Sequence, residues 1–123
     1  MSDIETIISS VQDDRKISPL SDHCASIAQV LDEELTIDQF VGILEEPEDS
    51  AIGDIVSHVA VEINGIVYDG SGAYDSHEDF VKSVVRDRFL LPDWEKHLWT
   101  GDTLPDVPYT KDIDHVRSVI QNS

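Results

Sequence analysis

The chain has 123 residues, with 26 acidic side chains against 8 basic ones and a formal net charge of −18 at pH 7. That balance excludes direct binding to nucleic acid or anionic lipid, because both depend on Lys and Arg neutralising phosphate. No segment approaches the roughly 20 consecutive apolar residues of a membrane span, the start MSDIETIISS lacks the layout of a signal peptide, and the one cysteine, Cys24, excludes an internal disulfide, so a single cytoplasmic domain over residues 1–123 is expected.

Ser2-Asp3-Ile4-Glu5 is a Ser-x-x-Glu capping box, and Ile4, Ile7, Ile8 and Val11 follow at helical spacing, which predicts a short opening helix. After Pro19, Ser21 or Asp22 caps a second helix carrying Cys24, Ile27, Ala28 and Leu31 on one face. Thr36 and Gln39 frame a third, with Ile37, Phe40, Val41 and Leu44 aligned. Residues 45–50 read as a solvated loop, and residues 52–56 as a strand interrupted by Gly53 and Asp54.

Next comes SHVAVEINGIVYDGSG, residues 57–72. Asn-Gly between two alternating apolar runs is the strongest short-range signal for a two-residue hairpin turn with positive φ at both positions. With that turn, Ile63 faces Ile66, Glu62 faces Val67, Val61 faces Tyr68 and Ala60 faces Asp69. Val59, Val61, Ile63, Ile66 and Tyr68 then share the face that covers the core. His58, Ala60, Glu62, Val67, Asp69 and Ser71 share the other, which is expected to be the polar one.

Beyond the hairpin, Ser76 and Asp79 cap a helix with Phe80, Val81, Val84 and Val85, which Pro92 stops near residue 91. Trp94 and Leu98 predict a further turn or two of helix, residues 100–108 a loop, and Ile113, Val116 and Ile120 a terminal helix. The expected core spans about residues 20–91, with an acidic helical tail over 92–123. Trp94, Trp99 and Tyr109 read as lids over a small core, and His97 and His115 as solvent-facing.

His58 and Asp69 are diagonal neighbours on adjacent strands, roughly 7–8 Å apart at the backbone and within reach of a carboxylate–imidazole hydrogen bond. Such a bond orients the ring and raises the basicity of its other nitrogen. Cys24 opens its predicted helix, where free N–H groups and the positive end of the dipole favour a thiolate, the attacking species in cysteine catalysis. A cysteine at a helix start with a histidine and an aspartate on consecutive strands supplies the parts of a thiol hydrolase triad.

Cys24-Ala25-Ser26-Ile27-Ala28, His58-Val59-Ala60-Val61-Glu62 and Tyr68-Asp69-Gly70 stand in the order nucleophile, histidine, aspartate. In this order the chain resembles the papain-like and transglutaminase-like cysteine enzymes over roughly residues 20–90. It is also similar to small phage and mobile-element proteins with an HVAV…NG…YD core. The group often has Gly before the nucleophile and Trp after it, where this chain has His23 and Ala25, and Ser18 stands where papain-like enzymes carry an oxyanion-binding Gln. The resemblance implies an α+β fold, a small antiparallel sheet around residues 55–70 packed on the Cys24 helix.

It also implies a thiol-dependent hydrolase or acyl transferase acting on an amide, isopeptide or ester bond of a peptide or protein substrate. Cys24 would attack, His58 would move the proton, Asp69 would hold His58, and His23, Glu62 and Ser71 would line the site. No cofactor is implied. No metal is expected, since no C-x-x-C or H-x-x-x-H is present and the adjacent His23 and Cys24 rarely serve one ion.

The rival expectation starts from the charge: an acidic phage or mobile-element protein that mimics nucleic acid and binds a basic partner protein without catalysis, located in the host cytoplasm or virion. Asp outnumbers Glu and lysine stands only at positions 16, 82, 96 and 111, a composition that also fits a halophilic, salt-adapted surface.

Overall fold

The structure, a computed structural model, describes residues 4–18, 23–45, 55–84, 94–105 and 110–123. In chain order the elements are α1 (Ile4–Asp13), α2 (Cys24–Glu34), β1 (Gln39–Glu45), β2 (Ile55–Ile63), β3 (Ile66–Asp69), β4 (Gly72–Tyr74), α3 (His77–Val84), β5 (Leu98–Gly101) and α4 (Ile113–Gln121). The strands form one antiparallel sheet in the order β4-β3-β2-β1-β5. The fold is α+β, and no helix among the described residues is long and apolar enough to cross a membrane.

The sheet carries a core on each face. On one, Phe40, Val59 and Val61 pack with α2, α1 and α4, and on the other Val41, Ile43, Ala60 and Val67 pack with Phe80 and Val81 of α3. α2 is buried on most of its circumference, because it lies between the sheet and α4. Its small residues Ala25, Ser26 and Ala28 are what permit close approach on both sides.

The hairpin register is as expected, with Ile63 opposite Ile66, Glu62 opposite Val67 and Val61 opposite Tyr68. Asn64 and Gly65 take φ of 53° and 83°, the left-handed values that such a turn requires. Ser76 caps α3 as expected, its hydroxyl accepting from the Asp79 N–H at 3.1 Å. The remainder of that predicted helix, Tyr109, and residues 46–54 lie outside the described residues.

Two expectations fail. Residues 36–44 do not form a helix: β1 occupies Gln39–Glu45, with Phe40 in one core and Val41 and Ile43 in the other. A central strand covered on both faces carries apolar residues continuously, and over so short a run that pattern also satisfies helical spacing. The helical turn predicted from Trp94 is present over residues 94–97 as a 3₁₀ turn, but β5 takes Leu98–Gly101, where the end of that helix and the start of a loop were predicted, and pairs with β1. The polar face of the hairpin, which carries His58, is covered by α3.

The core also reaches further along the chain than residues 20–91. Val116 and Ile120 of α4 and Ile7 and Val11 of α1 belong to the helix-side cluster. Trp94 and Trp99 are half-buried and pack over the two cores.

A bulge shapes β2 next to His58. Ile43 pairs with His58 and Leu44 with Val56, so Ser57 is an extra residue in β2. Val56 and Val59 therefore both pack in the helix-side core, and His58 turns to the other face. Gly42 is required at this crossing. A Cβ there would lie 2.7 Å from Val56 Cγ1, 2.9 Å from the His58 carbonyl oxygen and 3.1 Å from Trp99 Cε3. Gly42→Ala is expected to destabilise the protein by about 1–3 kcal/mol through overpacking, more than the entropy gained by removing a glycine. Urea unfolding of the variant measures this, and a neutral or stabilising result would show that Trp99 can move aside.

Candidate active site

Cys24, the first residue of α2, is 2 % exposed; His58, on β2, is 3 % exposed; Asp69, ending β3, is 2 % exposed. The strand pairing that follows from Asn64-Gly65 brings the last two together, and His58 Nε2 lies 2.9 Å from Asp69 Oδ2. The carboxylate accepts the Nε2 proton, so Nδ1 is the ring nitrogen left to exchange one. Nδ1 is buried and meets no hydrogen-bond partner of ordinary geometry among the described residues. The other polar group whose presence acts on the ring is the Cys24 thiol.

Burial alone would disfavour the imidazolium. The hydrogen bonds of Asp69 and Cys24, reinforced by their charge, outweigh it and raise the His58 pKa from 6.5 to about 9. The ring therefore attracts a proton from its surroundings at neutral pH. Phe80 of α3 stacks on it, with centroids 5.8 Å apart and planes at 30°, and fixes its tilt.

Asp69 is held in turn. Oδ1 accepts the backbone N–H groups of Ser71 at 2.8 Å and Gly72 at 3.1 Å, the tight aspartate turn that also ends β3. The Tyr74 hydroxyl stands 3.2 Å from Oδ2 and 3.4 Å from Oδ1. Tyr74 and Phe80 pack edge to face at 5.3 Å.

The three residues expected to line the site have other roles. His23 is buried, not solvent-facing: Nδ1 accepts from the Ser18 N–H at 2.8 Å and Nε2 lies 2.9 Å from Asp112 Oδ2, which ties the start of α2 to the start of α4. It stands at the cap position of α2 without capping it through its side chain. Glu62 accepts from Gln39 Nε2 at 2.9 Å and pairs with His77 at 2.6 Å. Burial acts to raise its pKa, and these two bonds more than reverse that. Ser71 serves through its backbone, since its carbonyl also accepts from Gln12 Nε2 of α1 at 2.7 Å.

His97 and His115 have partners too: His97 Nδ1 lies 3.4 Å from the Leu44 carbonyl oxygen, and His115 Nε2 lies 3.1 Å from Asp14 Oδ2. Among the described residues no group of three or more His, Cys, Asp or Glu is arranged to hold a metal ion. A cavity of about 180 Å³ between α1 and the β3–β4 turn, lined by residues that include Glu5, Gln12 and Tyr68, does not include the triad.

Sequence reasoning missed Tyr74 and Phe80. The available signal was the apolar stripe Phe80, Val81 and Val84, which needs a surface to cover, and the hairpin face carrying His58 and Asp69 is that surface. Comparison with family models, curated proteins and solved structures finds no match for this chain.

Proposed function

We propose that the protein is a thiol-dependent hydrolase or acyl transferase in which Cys24 is the nucleophile, His58 the general base and acid, and Asp69 the residue that orients His58. One observation carries this reading: a buried imidazole bound to a carboxylate through Nε2, with Nδ1 left without a hydrogen-bond partner among the described residues and the chain's single thiol near enough to act on the ring. A cysteine needed for packing alone gains nothing from a carboxylate-held imidazole beside it.

In the proposed reaction His58 already holds the proton taken from Cys24, and the thiolate attacks the carbonyl carbon of an amide, isopeptide or ester. The C–S bond forms and the carbonyl electron pair moves to oxygen. When that pair returns, the bond to nitrogen or oxygen breaks and the leaving group takes the proton from the imidazolium. A water molecule, or an amine or alcohol acceptor, then attacks the thioester. His58 removes its proton and the thiol is released. Asp69 keeps its negative charge and the ring orientation throughout.

Because Cys24 is 2 % exposed, a carbonyl reaches the sulfur only through a local opening of the fold. Alkylation by iodoacetamide measures both opening and activation. Reaction already fast at pH 6, and lost in Cys24→Ala, supports the proposal. Labelling only above pH 8, or only in urea, would rule it out. The net charge of −18 favours the second reading, a decoy for a basic protein, and an inert Cys24 combined with salt-sensitive binding to such a partner selects it.

A further inference from the structure

We infer that Tyr74 is a positioning residue of the same site, whose hydroxyl shares the Asp69 carboxylate with His58 and so sets how tightly the imidazolium is held. The inference rests on the thiol chemistry proposed above and concerns its regulation by a neighbouring strand.

Three observations carry it. The Tyr74 hydroxyl lies 3.2 Å from Oδ2, the same oxygen that accepts the His58 Nε2 proton at 2.9 Å, whereas the backbone donors of Ser71 and Gly72 address Oδ1. The phenol can only donate there, because burial, and after it the Asp69 charge, hold it protonated well above the ordinary tyrosine range. Its ring packs against Phe80, which stacks on His58, so β4 and α3 fix the hydroxyl relative to the imidazole.

The physical consequence follows from competition for one lone-pair region. A phenol hydrogen aimed at Oδ2 draws carboxylate charge towards itself and away from Nε2–H. The imidazolium is then less tightly bound than it would be against an unshared carboxylate, and gives its proton to a leaving group more readily. Among the described residues, the titratable groups around the ring are Cys24 from α2 and Asp69 from β3, with Tyr74 from β4 acting through Asp69; β1 and α3 present the apolar Ile43 and Phe80.

Tyr74→Phe tests this, because it keeps the ring and its packing and removes only the hydroxyl. Titration of the His58 ring by NMR is compared in Cys24→Ala and in Cys24→Ala with Tyr74→Phe, where no thiol complicates the curve. The expected result is a rise in the His58 midpoint by about one unit, the size of one hydrogen bond to a charged group. With Cys24 intact, the second half-reaction should slow. Superimposable titrations, or a downward move, would overturn the role of Tyr74 while leaving the thiol reading intact. A Cys24 that is inert in the wild-type protein would overturn the thiol reading itself and remove the catalytic meaning of Tyr74, whatever the titration gives.

Discussion

His58→Gln is expected to slow acyl transfer from an activated ester by about 10²–10⁴-fold, the loss usual when a general base is removed. Glutamine is the informative replacement. Its amide can still donate towards Asp69, and it fills much of the imidazole volume beside Phe80, so the change is aimed at proton transfer and not at the fold. The measurement is the burst of p-nitrophenol released from p-nitrophenyl acetate, with mass spectrometry of the acetylated chain. In the wild-type protein one acetyl group should accumulate on Cys24, in His58→Gln its appearance should be slow at neutral pH, and in Cys24→Ala it should be absent. Both variants should unfold cooperatively in urea, which separates a chemical loss from a structural one. A burst of equal rate in wild type and His58→Gln would show that the sulfur acts without the ring, and the proposed mechanism would fall.

The parts of the site that were legible in the sequence are those fixed by local backbone geometry. Asn64-Gly65 sets a turn, the turn sets the register, and the register places His58 and Asp69 as diagonal neighbours. Cys24 at a helix start was legible from the periodicity of Ile27, Ala28 and Leu31. The surroundings were not. His58, Glu62 and Asp69 were expected on the polar face of the hairpin, yet two of the three are almost fully buried: Asp69 is satisfied by His58 and by backbone and hydroxyl donors, while His58 keeps Nδ1 without a partner among the described residues. β4 has three residues and β5 four, too few to display a period, so Tyr74 could not be aligned with Asp69 from pattern alone. β1 failed for the opposite reason. With apolar partners on both faces it has no polar side to mark alternation, and Gly42, the residue that argues against a helix there, is explained only by Val56 and Trp99 pressing on it from elsewhere in the chain.

Asp69→Asn is expected to invert the dependence of stability on pH. In the wild-type protein the His58 pKa is raised from 6.5 to about 9, so the charged ring stabilises the fold. That contribution is fully present below about pH 6.5 and is lost as pH rises to about 9, an effect on the order of 3 kcal/mol for a shift of this size. Asparagine removes the negative charge that opposes the desolvation of the ring. It also gives the turn a problem of orientation: one side of the side chain must meet the Ser71 and Gly72 N–H groups and the other the His58 Nε2–H, and an amide accepts on only one side. Burial then dominates and pushes the His58 pKa downward, so the variant should lose its fall in stability between pH 6.5 and 9 and instead weaken as pH drops through the ordinary histidine range. The remaining histidines titrate in both proteins, and the difference between the two curves isolates His58. Urea unfolding at intervals between pH 5 and 9.5, in a Cys24→Ala background to exclude thiol ionisation, gives the part of that difference carried by Asp69, since the Cys24 share of the raised pKa is absent there. Parallel curves would mean that Asp69 does not hold a charged imidazole, and without that ion pair the triad has no base.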